Sequence, residues 1–315
     1  MQVTVDAALF DRFNGAVNAL HVVAGARILC AVSGGPDSLA LLILLHKTMP
    51  DRVVAATVDH GLRPESADEA LYVQRMCKDM QVPHVILSPA DKISGNIQSA
   101  ARAVRYTLLA QAAEQHDCLY IATAHHADDQ LETVLMRLAR GSGVDGLSAI
   151  RSTNGKILRP LLGFTKDELM SICATAGLNP VEDPSNANTD FERVAMRNWL
   201  ANTQHPFRAD RAGRTASAMA DASEALNWMT ETLTQERVQR DTATVMCDAR
   251  DVPREIQRRL LIHCLQMLEP ELAPRGDAID RLLSELSDGR TATMGAVKCE
   301  GGDNWRFTMA PPRRN

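Results

Sequence analysis

Ser33-Gly34-Gly35-Pro36-Asp37-Ser38 is the stretch whose residue types are hardest to explain without a ligand. It separates a short apolar run of strand formers, Arg27 to Val32, from a run of helix formers, Ser38 to His46. A turn between a strand and a helix can cradle an anion, because the first N–H groups of the helix are unpaired and carry its positive dipole end. Gly34 and Gly35 let the backbone approach such a ligand with no side chain between, and the hydroxyls of Ser33 and Ser38 can donate to phosphate oxygens. Asp37 is out of place beside a phosphate unless a cation lies between them, and magnesium, bound by one carboxylate and by phosphate oxygens, resolves the conflict. The string lacks the GK[ST] ending of a Walker loop and the GxGxxG of a dinucleotide fingerprint. A plain turn capped by serine or aspartate is the simpler alternative, and the complete six-residue string after a strand weighs against it.

A second polar cluster is His125-His126-Ala127-Asp128-Asp129-Gln130-Leu131-Glu132-Thr133. Asp129 and Glu132 are three apart at the start of a helical stretch, so their carboxylates share one side. Two such groups can grip a cation such as an amine, or take its proton. The alternative is an acidic first turn that complements the helix dipole.

The elements that must carry these residues alternate. Strand-like runs at Arg27–Val32, Val53–Val58, Val85–Leu87 and Cys118–Ala122 are separated by helical patterns at Ser38–His46, Glu65–Met80 and Gln98–Gln115, and Asp128–Arg140 follows. This predicts an α/β fold, a doubly wound parallel sheet with functional loops at the carboxyl ends of its strands. Three loops placed there are polar: Ser33–Ser38, Asp59-His60-Gly61-Leu62-Arg63 and His125–Gln130. An amphipathic helix over 6–20 precedes them, and Thr165–Ala176 reads as a capped helix. Gln204-His205-Pro206 marks a linker, after which Ala216–Val238 and Ile256–Leu268 are helical. The last 25 residues hold short β-like segments between Gly289, Gly295, Gly301 and Gly302. Two domains are expected: a catalytic one over 1–205 and a smaller, mainly helical one over 206–315.

Composition sets limits. With 45% hydrophobic and 23% charged residues, the 315-residue chain has the make-up of a folded globular protein. The net charge of −5 restricts any nucleic-acid surface to a local patch. Aromatic content of 4% argues against broad base-stacking platforms. The seven cysteines are scattered singly without a CxxC pair, which disfavours a zinc ribbon, an iron–sulfur cluster or a disulfide framework. No signal-peptide pattern and no apolar run of membrane-spanning length is present, so a cytoplasmic location is expected.

Ser33–Ser38 resembles the SGGxDS motif of the PP-loop ATP pyrophosphatases. That superfamily adenylates a substrate carbonyl oxygen, releases pyrophosphate and lets a nucleophile displace AMP. Ala122–Thr133 resembles the HxxDDxxET block of its tRNA-modifying members, and Arg140-Gly141-Ser142-Gly143-Val144-Asp145-Gly146-Leu147 the RGSGxxGL of the tRNA(Ile)-lysidine synthases. Ala101–Tyr106, Arg159-Pro160-Leu161-Leu162, Glu182-Asp183-Pro184-Ser185-Asn186, Asp190, Arg193 and Arg197 continue the match, which runs from about 28 to 200 in order. Val194 departs from it, since the family usually has Asn there. The resemblance implies ATP and Mg2+ as cofactors, and L-lysine and the CAU-anticodon isoleucine tRNA as partners, with homodimerisation left open. By the same resemblance Ser33, Gly34, Gly35, Pro36, Asp37, Ser38 and His60 would bind the nucleotide. Asp37 would hold the metal, Asp129 and Glu132 the lysine amines, and Arg105 and Arg197 phosphate charge or tRNA backbone. Longer members have an additional carboxyl-terminal domain that this chain is expected to lack. Arg208, Arg211, Arg214, Arg254, Arg258 and Arg259 could line a phosphate-contacting face, or serve as ordinary surface arginines. Thiolation of a tRNA base is the alternative reaction, disfavoured by the unpaired cysteines. Amidotransferase-type synthetases and a non-catalytic nucleotide-binding module are further alternatives, disfavoured by the missing glutaminase signature and by the intact acidic motifs.

Overall fold

The computed structural model describes residues 4–61, 65–90, 97–181, 192–274 and 276–311, without the side chains of 97–99. Leu62, Arg63, Glu182–Asn186 and Asp190 lie outside the described residues. The chain divides into two compact units, Met1–Ala220 and Asp221–Asn315.

The first unit opens with α1 (Ala7–Ala19), capped by the Asp6 carboxylate, which accepts from Leu9 N–H at 3.1 Å. There follow β1 (Arg27–Ala31), α2 (Pro36–Thr48), β2 (Val53–Val58), α3 (Ser66–Asp79), β3 (His84–Leu87), α4 (Ile97–Gln115), β4 (Cys118–Ala122) and α5 (Ala127–Ala139). A short α6 (Val144–Leu147) and a hairpin of β5 (Thr153–Asn154) and β6 (Ile157–Leu158) come next. Then come α7 (Lys166–Thr175), α8 (Glu192–Asn202) and α9 (Ala209–Arg237), the last running on into the second unit. Strand order is β3-β2-β1-β4-β6-β5, parallel except for the β5–β6 hairpin.

Alternation along β1 explains the double winding. Ile28 and Cys30 join one core with residues of α1, α2, α3 and α7. Leu29 and Ala31 join another with Leu109, Ala112 and Ala113 of α4. Leu39 to Leu45 of α2 are all buried, as a helix apolar all round must be. Each fully buried leucine there contributes about 1.5–3 kcal/mol relative to exposure. α2 begins two residues before the sequence pattern suggests, because Pro36 fits the first helical position, where no N–H is needed.

In the second unit, β7 (Val238–Arg240), β8 (Thr244–Cys247), β9 (Thr291–Met294), β10 (Val297–Glu300) and β11 (Trp305–Met309) form an antiparallel sheet ordered β7-β8-β11-β10-β9. α10 (Arg254–Leu268) and α11 (Gly276–Ser287) share one core with the inward residues Val245, Cys247, Val297, Cys299, Trp305 and Phe307. Helices supply more of this unit than strands do, but the β-like segments turn out to be a five-stranded platform. α11 is absent from the sequence reading, although Ile279, Leu282, Leu283 and Leu286 fall on one helical stripe.

Candidate functional site

In the order β3-β2-β1-β4, the connections leave β1 and β4 for different neighbours, and a crevice opens at their carboxyl ends. The two polar strings of the sequence emerge there side by side. After β1, Gly34 has φ +88° and Gly35 serves as N-cap of α2 without a side-chain cap, which leaves the first N–H groups of the helix available. A Cβ at Gly34 would lie 3.4 Å from both Val73 and Val181. Ser38 is buried and committed to the turn: its hydroxyl accepts from Ser33 N–H at 3.1 Å and donates to the Gly35 carbonyl at 3.0 Å. Ser33 is exposed, with its Oγ 3.2 Å from that of Ser38. The nest therefore offers backbone N–H groups and the Ser33 hydroxyl, while Ser38 holds its shape.

Asp37 stands in the first turn of α2 with Oδ1 buried and without a hydrogen-bond partner among the described residues. Burial raises its pKa above the ordinary carboxylate value, opposed by the charges of His126, Lys166 and Arg197. A buried carboxylate oxygen with nothing donating to it suits a cation whose remaining ligands come from phosphate and water, the usual arrangement for magnesium. Among the described residues no group of three or more His, Cys, Asp or Glu could hold a metal by itself. Any ion here would share its coordination with the nucleotide.

After β4, His126 is the N-cap of α5, and Asp129 reaches back to it. Asp129 Oδ2 accepts from His126 N–H at 3.1 Å and lies 2.5 Å from His126 Nδ1. Burial pulls the imidazole pKa down, but the hydrogen bond and charge of Asp129, with Asp37 and Asp128, outweigh it and hold His126 above its ordinary value. Burial likewise favours protonated Asp129, yet its contacts with His126 keep it well below the usual carboxylate range. His126 Nε2 is buried, lies 4.0 Å from Asp128 Oδ2 and has no hydrogen-bond partner among the described residues. His125, by contrast, is pushed down to about 4, mainly by burial, and pairs with Thr123 Oγ1 at 3.0 Å.

Glu132, 3% exposed, is engaged by α8. Arg197 donates to both its oxygens, at 2.7 and 3.1 Å, and Arg193 Nε lies 3.3 Å from Oε2. Arg197 also comes within 3.9 Å of Asp129 Oδ1. The expectation that Asp129 and Glu132 share one side holds, with an arginine fork between them. Arg105 is half-buried and has no carboxylate partner among the described residues. Burial lowers its pKa. His60 is lowered by burial and by the charge of Arg105, and its Nδ1 has no hydrogen-bond partner among the described residues. A guanidinium in that position favours an anion.

Two contributors escape the sequence reading. The Gln130 amide donates to the Ile150 carbonyl at 2.8 Å and accepts from Ile150 N–H at 2.9 Å, pinning the segment after α6 to α5. Lys166 N–H donates to Asp128 at 2.8 Å and fixes the start of α7 against α5. Neither has a sequence signal, because each joins residues twenty or more apart.

Comparison with known proteins gives the family. A family model described as a PP-loop domain matches residues 9–204. A tRNA(Ile)-lysidine synthase of Zymomonas mobilis is 41% identical over 90% of this chain and 88% of its own length. That of Novosphingobium aromaticivorans is 39% identical over 92% and 90%. The chain belongs to the tRNA(Ile)-lysidine synthase family. A family member from Ruegeria pomeroyi, 40% identical, is covered over 70% of its length. Among solved structures, a U34-tRNA thiolase from Methanococcus maripaludis shares the fold, with TM-score 0.56 and 18% identity over 67% of this chain and 78% of that one.

The lysidine synthase motifs outside the loops also gain physical reasons. In Arg140–Leu147, Gly141 ends α5 with φ +67°. Gly146 lies so close to Ser142 that a Cβ would come within 2.5 Å of the serine Cβ. Arg140 pairs with Glu192 and so ties this turn to α8. Arg159 is buried and donates to the Arg151 carbonyl at 2.7 Å. Val194, where the family usually has Asn, is buried in α8 beside the arginine that touches Glu132.

Proposed function

We propose that this chain ligates free L-lysine to the wobble cytidine of the CAU-anticodon isoleucine tRNA. The observation that carries the reading is the phosphate nest and the His126–Asp129–Glu132–Arg197 cluster meeting at the ends of β1 and β4. ATP binds with its phosphates on the N–H groups that open α2, Ser33 donating from the rim. The cytidine carbonyl oxygen attacks the α-phosphorus, an O–P bond forms, and pyrophosphate leaves. The lysine ε-amine then attacks the activated ring carbon, a C–N bond forms, and AMP departs with the carbonyl oxygen. The amine must be neutral to attack, so its proton passes to a nearby carboxylate acting as base. Glu132 orients Arg197, and Arg105 and Arg197 stabilise the charge that builds on phosphate. Asp37 would hold Mg2+, which when bound neutralises the leaving pyrophosphate.

The relatives' name supports the tRNA substrate, and the ATP requirement follows from the PP-loop family. No described helix is long and apolar enough to cross a membrane. The test is incorporation of labelled lysine into an unmodified isoleucine tRNA with a CAU anticodon, with and without ATP. Incorporation should require ATP and disappear in Asp37→Ala. Pyrophosphate release with another acceptor, and no lysine incorporated, would retain adenylation and discard this substrate.

A further inference from the structure

Aromatic residues are scarce in this chain, yet three rings gather at one exposed place. Trp199 on α8, His205 after it and Phe207 just before α9 have ring centroids 5.8, 5.9 and 6.3 Å apart, with Trp199–His205 and His205–Phe207 stacked. Trp199 is 44% exposed and Phe207 41%. Exposed aromatics usually scatter, and a stack open to solvent gains nothing from burial on its outer faces. The stack is built: His205 Nε2 donates to the Leu200 carbonyl at 2.9 Å, and Thr203 bonds the Trp199 carbonyl through both N–H and hydroxyl, at 3.1 and 2.6 Å.

Its surroundings name the occupant. α8 also carries Arg193 and Arg197, which reach Glu132. At 100° per residue Trp199 lies on the side of the helix turned away from them, about 3 Å along the axis from Arg197. Arg208, Arg211 and Arg214 follow in the chain. Arg208 and Arg214 share Asp210, while Arg211 has no ion pair among the described residues. This local positive charge on a chain of net charge −5 suits a phosphate backbone. An enzyme that reacts with a base must draw it out of its stack, which exposes the faces of the neighbouring bases. Aromatic rings beside basic side chains are the means by which single-stranded loops are held.

We infer that Trp199, His205 and Phe207 form a stacking platform for an unpaired base of the tRNA anticodon loop. The inference rests on the proposed function. Stacking of this kind changes affinity roughly five- to 150-fold per base.

The probe is a synthetic anticodon stem-loop with a CAU loop, added to the full chain without ATP or lysine. Tryptophan emission of the parent should change on addition, and that change should be lost in Trp199→Phe, which keeps a ring but not the reporter. In lysine incorporation, Phe207→Ala and Trp199→Ala should raise the KM for tRNA at least five-fold, with kcat and the KM values for ATP and lysine within two-fold of the parent. Trp199→Phe should restore the tRNA KM, which a merely misfolded variant would not. A tRNA KM unchanged in both alanine variants, with no emission change, would overturn the platform while leaving lysidine formation intact. An emission change with no lysine incorporated by the parent would uphold the platform and discard the reaction. Altered sedimentation of Phe207→Ala with an unchanged tRNA KM would make the stack a self-association surface and overturn the inference.

Discussion

Asp129 bonds to His126 and lies near an arginine, and its ionisation links the site to stability. His126 is held above its ordinary value of 6.5, so its contribution is fully present below pH 6.5 and is lost as the pH rises through its folded value. Asp129 is held below its ordinary 3.8, so its contribution is present above that value and lost as the pH falls through the folded one. The two overlap between pH 3.8 and 6.5. Asn at position 129 should therefore cost most stability near pH 5 and less near pH 9, in urea unfolding of the ligand-free protein. A gap that widens with pH would contradict the assignment of charge to this pair. Asp37 acts in the opposite sense, since burial favours its protonated form and its ionisation lowers stability. Glu132 and Arg197 form the other residue-scale unit. Arg197 is 36% exposed, so solvent screens the pair, and a double-mutant cycle of Glu132→Gln and Arg197→Lys should give a coupling of about 1–3 kcal/mol. A coupling near zero would mean that the fork is not made in solution.

At the scale of elements, the turn that ends α5 depends on space rather than on chemistry. Ala at position 146 would press its Cβ against that of Ser142, and neither backbone has freedom to retreat, because Ser142 N–H is bonded to the Arg137 carbonyl at 3.0 Å. Gly146→Ala should lower stability by about 1–3 kcal/mol in thermal or urea unfolding. Adding Ser142→Gly should recover most of the loss, and failure to recover it would show that the glycine serves some other purpose. The elements that sequence reveals are those with a strong period. The strands β1, β2 and β4 and the helices α2 to α5 all fall within two residues of their expected bounds. α8 escapes notice because it buries only Val194 of its described residues and presents arginines instead of an apolar stripe. β5 and β6, two residues each, are too short to carry any period. The candidate site follows the same division. Its loops are legible because glycine, serine and acidic residues have few other reasons to cluster after a strand. The pairing of Glu132 with Arg197 joins residues 65 apart in sequence, and the aromatic stack crosses a proline-marked turn, so only the folded chain brings them together.

On the scale of the whole molecule, each unit has hydrophobic cores of its own, and the cysteines are divided between the units. Cys30, Cys77, Cys118 and Cys173 belong to the first unit, and Cys247, Cys264 and Cys299 to the second; all seven are buried and free. Burial pushes the thiols of Cys77, Cys173 and Cys299 up to about 12, and raises Cys30 and Cys118 as well. Cys264 is raised by its hydrogen bond with Cys247 and by burial, and the same hydrogen bond lowers Cys247. The thiolate is the reactive form and must be reachable, so a thiol enclosed in a core is poorly placed to carry sulfur to a substrate. Burial of all seven cysteines predicts that no sulfur relay runs through these side chains. The consequence is measurable in the native protein with an aromatic disulfide reagent at pH 8. None of the seven cysteines should react in the minutes within which all seven react after unfolding in guanidinium. Rapid reaction of even one in the folded state would mean a reachable thiol, and a second close to it would return sulfur transfer to contention. Full protection would leave carbon–nitrogen ligation as the chemistry that these buried cysteines permit.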